Sequence, residues 1–169
     1  IKTQGLFSQR YGRFEARIKL PIGQGMWPAF WMLGDDITTV GWPICGEIDI
    51  MEFRGQRPRE STGALHAPGY SAGQAIGGVY RSPTVLPDAF HVYAVEWDPA
   101  GISWFVDDTE FMRVDNGDQP PGAPWPYDDP FFLILNIAVG GTYVGSPDAS
   151  TQFPQEMLVD HVRVYEAER

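Results

Sequence analysis

The sequence has one cysteine, Cys45, which excludes an internal disulfide and leaves the redox compartment open. Basic residues are also scarce. Twelve Lys and Arg face 22 Asp and Glu, for a formal charge of −10. That balance repels phosphate backbones, anionic membranes and sulfated polymers, so nucleic acid and membrane surfaces are not expected partners. No run approaches the ~20 apolar residues of a membrane span. Residues 1–5 lack the pattern of a signal peptide and do not read as a natural beginning. The expectation is therefore of a cleaved leader or a lost upstream segment. Helical periodicity is nearly missing as well.

What fills the chain instead is β-structure. Nineteen Gly and 15 Pro punctuate short alternating runs, the pattern of a sandwich or barrel. With 169 residues, 43% of them hydrophobic, one domain over residues 1–169 can bury a sizeable core. Strands are predicted over residues 10–20, 26–33, 46–53, 61–66, 91–97, 102–107, 109–114, 131–139 and 157–165. In the first, Phe14, Ala16, Ile18 and Leu20 take one face. Arg13, Glu15, Arg17 and Lys19 take the other, where cross-strand ion pairs are expected. Residues 131–139 are apolar on both parities, as for a central strand buried on both sides, with Asn136 the polar exception. Residues 67–78 read as a loop at a cleft rim, and residues 115–130 as a long Pro/Gly/Asp loop.

Six Trp and seven Tyr are many for this length. Flat aromatic faces stack on the C–H faces of sugar rings, though their commonest place is the core. Trp27 and Trp31 share a parity and so one side of their strand. Trp42 lies in a loop that leads into Gly46-Glu47-Ile48-Asp49-Ile50-Met51-Glu52-Phe53, where three acids interrupt an otherwise buried strand. A buried charge without partners is strongly unfavourable, so these acids either pair or work. In a regular strand Glu47 and Asp49 share a face and Glu52 points into the apolar layer. A β-bulge near Met51 returns Glu52 to their side, and bulges are common beside active sites. The two Glu are then about 13 Å apart at Cα, from which inward-leaning carboxyls reach the ~5–5.5 Å of a retaining glycosidase. The bland alternative is a strand with an acidic solvent face. Cys45 has the parity of Glu47, which would place it near the same cleft.

At Tyr11-Gly12-Arg13-Phe14-Glu15-Ala16-Arg17, Gly25-Met26-Trp27-Pro28-Ala29-Phe30-Trp31-Met32 and Gly46 to Glu52, the sequence resembles glycoside hydrolase family 16. It is most similar to the laminarinase-type endo-β-1,3-glucanases. The resemblance continues through His91 to Trp97, Leu135 to Gly141 and Val159 to Tyr165. It implies an all-β jelly-roll sandwich of two antiparallel sheets, like the concanavalin A-like lectins and glucanases, with one concave sheet forming a glucan cleft. It also implies Glu47 as nucleophile, Asp49 as assisting acid and Glu52 as general acid/base. Trp27, Trp31 and Trp42 become sugar-stacking positions, His66 a cleft histidine near the acid/base, and Asn136 a cleft residue or a bond within the sheet. Tyr143 stands where the family commonly has Trp.

Catalysis in that family needs no cofactor. A structural calcium is implied on the convex side, with Asp160 resembling one ligand although other ligands of the set are missing. The family's N-terminal strands precede the Tyr11 motif, so the resemblance implies a truncated domain with unpaired sheet edges. It further implies a β-glucan partner, a secreted location, and a monomer unless strand exchange supplies the missing strands. The alternatives in function are a glucan-binding module with impaired catalysis, or a transglycosylase or hydrolase on mixed-linkage glucan or agar.

Overall fold

A strand with two-residue alternation must hide one face, and two such sheets can hide theirs against each other. The computed structural model describes residues 1–166, leaving 167–169 of the expected domain outside the described residues. In chain order the strands are β1 (Gly12–Lys19), β2 (Met26–Gly34), β3 (Glu47–Phe53), β4 (Glu60–His66) and β5 (Ile76–Arg81). They continue with β6 (His91–Asp98), β7 (Gly101–Val106), β8 (Thr109–Asp115), β9 (Phe131–Val139) and β10 (Leu158–Tyr165). Among the described residues they form two five-stranded antiparallel sheets, a jelly-roll sandwich. The orders are β10-β1-β6-β7-β8 and β5-β4-β3-β2-β9. The acidic strand β3 is thus the centre of its sheet.

The core lies between the sheets. Phe14, Ala16 and Ile18 of β1 and Tyr93, Val95 and Trp97 of β6 meet Phe30 and Met32 of β2 and Ile48, Ile50 and Phe53 of β3. Each large apolar side chain so buried contributes about 1.5–3 kcal/mol. The charged face of β1 forms the expected cross-strand pairs: Arg13 meets Glu96 at 2.9 Å and Arg17 meets Asp160 at 3.1 Å.

Two expectations need correction. Strand β9 is not central; it pairs with β2 and forms an edge, with Val139 exposed. Its apolar outer half is partly covered by the N-terminal segment. The amides of Thr3 and Gln9 donate to the carbonyls of Leu133 and Phe131, and Leu135 donates to Ile1. A run without polar alternation cannot distinguish a central strand from an edge covered by a loop. The second correction is β5, whose first three residues, Ile76 to Gly78, fall in the stretch read as loop. Its two glycines carry no hydrophobic signal, and it is placed by pairing Gly77 and Gly78 with Ala64 and Gly63 of β4.

Candidate active site

The register around β3 builds the site. Trp31 of β2 pairs with Asp49, but Phe30 pairs with Met51, and on the other side Asp49 pairs with Ala64 while Glu52 pairs with Thr62. Two residues, Ile50 and Met51, therefore stand where regular pairing has room for one, and both point into the core. This is the bulge expected from the parity of Glu52. It puts Glu47, Asp49 and Glu52 on one face. Glu47 and Glu52 lie opposite His66 and Thr62 of β4. Four residues of β4 span about 13 Å at ~3.3 Å per residue.

All three carboxyls have pKa values above their ordinary ones. Burial pushes Glu47 up to about 8, helped by the charge of Asp49 and opposed by His66 and by the Trp42 indole. Asp49 is raised well above its ordinary value, by burial first and then by the charge of Glu52. Glu52 is raised by burial, against the pull of its bond from Trp27. Like charges this close on a dry floor cannot all ionise together, so the trio holds protons near neutral pH and titrates as a unit.

Each acid has an aromatic or imidazole partner. The Trp27 Nε1–H donates to Glu52 Oε1 at 2.9 Å, and the Trp42 Nε1–H donates to Glu47 Oε2 at 2.8 Å. His66 Nε2 lies 2.9 Å from Asp49 Oδ2 and 3.7 Å from Glu47 Oε1. The histidine thus sits against the Glu47 end of the trio. Its other nitrogen, Nδ1, accepts the backbone N–H of Ala72 at 3.0 Å. Nδ1 therefore carries no proton, and neutral His66 must present Nε2–H to the acids.

That tautomer also bears on metals. Glu47, Asp49 and His66 bring ligand atoms within 4.8 Å of one another. A ligating histidine normally donates its second ring N–H to an acceptor, whereas here the second nitrogen faces a donor. The cluster is built for proton sharing. Asp160 offers calcium no better. Pairing passes from Arg17–His161 to Ile18–Val159, so Asp160 is the extra residue of a bulge. Its exposed carboxylate meets Arg17 at 3.1 Å and His161 at 3.3 Å. Two basic groups do not fit a cation that needs six to eight oxygens.

The remaining expected residues line the same floor. Trp31 Nε1–H donates to Asn136 Oδ1 at 2.7 Å, and both border the space above the three acids. Asn136 thus faces the cleft and fixes an indole at the same time. Trp42 is half-exposed at the rim. Cys45 is not in the cleft but buried with Leu33 and Phe132. Gly46 between it and Glu47 has φ +76°, a turn that breaks the alternation used to place the thiol.

Further residues complete the site beside Glu52. A cleft of about 530 Å³ beside Glu52 is lined by Thr62, Tyr143 and the residues around Ala72. The Tyr143 ring stands 5.1 Å from Trp27, and its hydroxyl lies 2.9 Å from the hydroxyl of Thr62. Tyr143 is the residue that stands where the family commonly has Trp, whereas Thr62 carried no signal in the sequence and was missed.

Residues 1–162 match the family model described as glycosyl hydrolases family 16. The beta-glucanase of Rhodothermus marinus is 46% identical over 98% of this chain and 60% of its own length. The glucan endo-1,3-beta-glucosidase A1 of Niallia circulans is 42% identical over 98% of this chain and 26% of its own. Among solved structures, the laminarinase catalytic domain of Thermotoga maritima MSB8 superposes with a TM-score of 0.97 at 46% identity, covering 99% of this chain and 68% of that one. The chain spans less than two thirds of the length of these two curated relatives.

Proposed function

From the premise that this chain belongs to glycosyl hydrolases family 16, we propose that it is a retaining endo-glycosidase that hydrolyses β-1,3-glucosidic bonds of laminarin-type glucans. The observation that carries the reading is the bulge in β3, which turns Glu47, Asp49 and Glu52 to one face. Indoles on that face donate to both outer acids. The names of the relatives, a beta-glucanase and a glucan endo-1,3-beta-glucosidase, point to the same substrate class.

In this reading Glu47 attacks the anomeric carbon while Glu52 protonates the departing glycosidic oxygen. The C–O bond to the leaving sugar breaks as an ester to Glu47 forms. Water then enters the vacated side, gives its proton to Glu52 and attacks the same carbon, and Glu47 leaves as carboxylate. The two inversions restore the starting configuration. The reactive ionisation state has the charge on Glu47, favoured by the N–H of Trp42 and by His66, and a proton on Glu52. Asp49 lies between the two and its charge helps set the pKa of the nucleophile. Trp27, Trp31 and Trp42 offer ring faces to the uncharged sugars, and Asn136 holds Trp31 in place.

No step needs a metal or organic cofactor. One copy carries the whole trio, so the reading requires no partner subunit. No helix among the described residues is long and apolar enough to cross a membrane. A polymeric glucan substrate makes secretion the fitting location. The test is product analysis on laminarin, lichenan and agarose side by side, with Glu47→Gln and Glu52→Gln as controls. Reducing ends from laminarin, lost in both variants, are expected. Binding of laminarin without turnover by the unmodified protein overturns the reading.

A further inference from the structure

The bulge that aims Glu52 leaves backbone groups that regular pairing cannot serve, and one of them is satisfied from the opposite sheet. Trp104 of β7 is fully buried in the core, and its Nε1–H donates to the carbonyl of Asp49 at 2.8 Å. An indole can reach that backbone only if nothing stands between. The residue of β4 facing the bulge is Gly63, between Thr62 and Ala64, the partners of Glu52 and Asp49. A Cβ built on Gly63 would lie 2.4 Å from Trp104 Cδ1 and 2.6 Å from Nε1. Trp104 therefore occupies the very space that a side chain at Gly63 would fill. At the other end of the bulge, Thr62 Oγ1–H donates to the Glu52 carbonyl at 3.3 Å.

We infer that Trp104, through the hole left by Gly63, is a positioning residue that holds the β3 bulge in the register at which Glu47, Asp49 and Glu52 face one cleft. The inference rests on the function proposed above and extends it to a side chain that touches neither substrate nor the reacting acids. A buried carbonyl deprived of its donor seeks another partner, and the nearest remedy is a slip of β3 toward regular pairing. That slip turns Glu52 toward the apolar layer, so the loss appears in the chemical step rather than in glucan binding by the indoles.

The experiment replaces the N–H without replacing the ring. Trp104→Phe is compared with β-(3-benzothienyl)alanine at position 104, which has the indole's shape with sulfur in place of N–H. Phe14→Leu serves as a core lesion of the outer sheet away from the bulge. On laminarin, both changes at 104 are expected to lower kcat about tenfold with KM within about twofold, as for an interaction felt in the transition state. They are also expected to shift the carbon-13-detected titration midpoints of Glu47 and Glu52. Phe14→Leu is expected to lower Tm while leaving kcat and those midpoints alone.

The inference is overturned if the benzothienyl protein keeps the original kcat and carboxyl midpoints. It is equally overturned if Phe14→Leu reproduces the loss, or if neither protein changed at 104 folds, since the role is then structural only. Should the unmodified protein cleave no glucan, the proposed function fails by itself. The carboxyl midpoints then decide the role of Trp104 separately.

Discussion

Replacing Glu47 by Gln should make the protein more stable while abolishing its activity. Burial and the charge of Asp49 raise the Glu47 carboxyl from 4.5 to about 8. A folded-state pKa above the unfolded one means that the native state binds more protons between those values. Stability therefore falls as pH rises through that window, and the loss is complete above about pH 8. At about 1.4 kcal/mol per unit, the shift corresponds to about 5 kcal/mol above the folded value and about 3 kcal/mol at pH 7. Gln mimics the neutral acid and can still accept the N–H of Trp42. Hydration from the open side of the cleft and readjustment of the trio absorb part of the gain, leaving about 2 kcal/mol. For a chain of this length that is about 4–8 °C in Tm. The assay is thermal unfolding of both proteins from about pH 5 to about pH 9. The gap should be small at the acid end and widest at the alkaline end. A variant no more stable than the parent above pH 8, or a gap that ignores pH, refutes the view that Glu47 is held in a desolvated, repulsive site.

Other outcomes follow from the same geometry. Glu52→Gln should lower kcat on laminarin by about 10²–10⁴-fold, the usual worth of a general acid. An aryl glycoside whose leaving group needs no proton should lose far less in its first turnover, and equal losses on both substrates contradict the acid role. Asp49→Asn removes a neighbouring charge that raises the Glu47 pKa. The acid limb of the kcat/KM profile should therefore move to lower pH; an upward move contradicts the assignment. Because Arg17 and His161 hold the Asp160 carboxylate, millimolar calcium or a chelator should leave Tm within about one degree. A rise of several degrees with calcium would show ligands recruited there.

The site was legible in the sequence because three acids in an apolar strand conflict with strand parity, and a bulge resolves that conflict with few alternatives. Alternation put Trp27 and Trp31 on one side of their strand, and the family resemblance made that side the cleft. The fold class followed from the density of Gly, Pro and short alternating runs. What was not legible depends on which strands become neighbours. β9 reads as central because the path of residues 1–9 covers its outer edge, which no periodicity reports. Two glycines hid the strand β5, and a positive-φ glycine reversed the side on which Cys45 falls. The contacts of His66 with Asp49 and Ala72, and that of Trp104 with the bulge, join residues far apart in pattern. Only the folded register shows them.

The central claim, that Glu47 and Glu52 act as nucleophile and acid/base across one glycosidic bond, is tested most directly by the anomeric form of the first product. Proton NMR of a fresh laminarin digest, recorded before mutarotation, should show the β-anomer accumulating first and the α-anomer appearing only as equilibration proceeds. Initial release of the α-anomer would contradict the double displacement and with it the role assigned to Glu47.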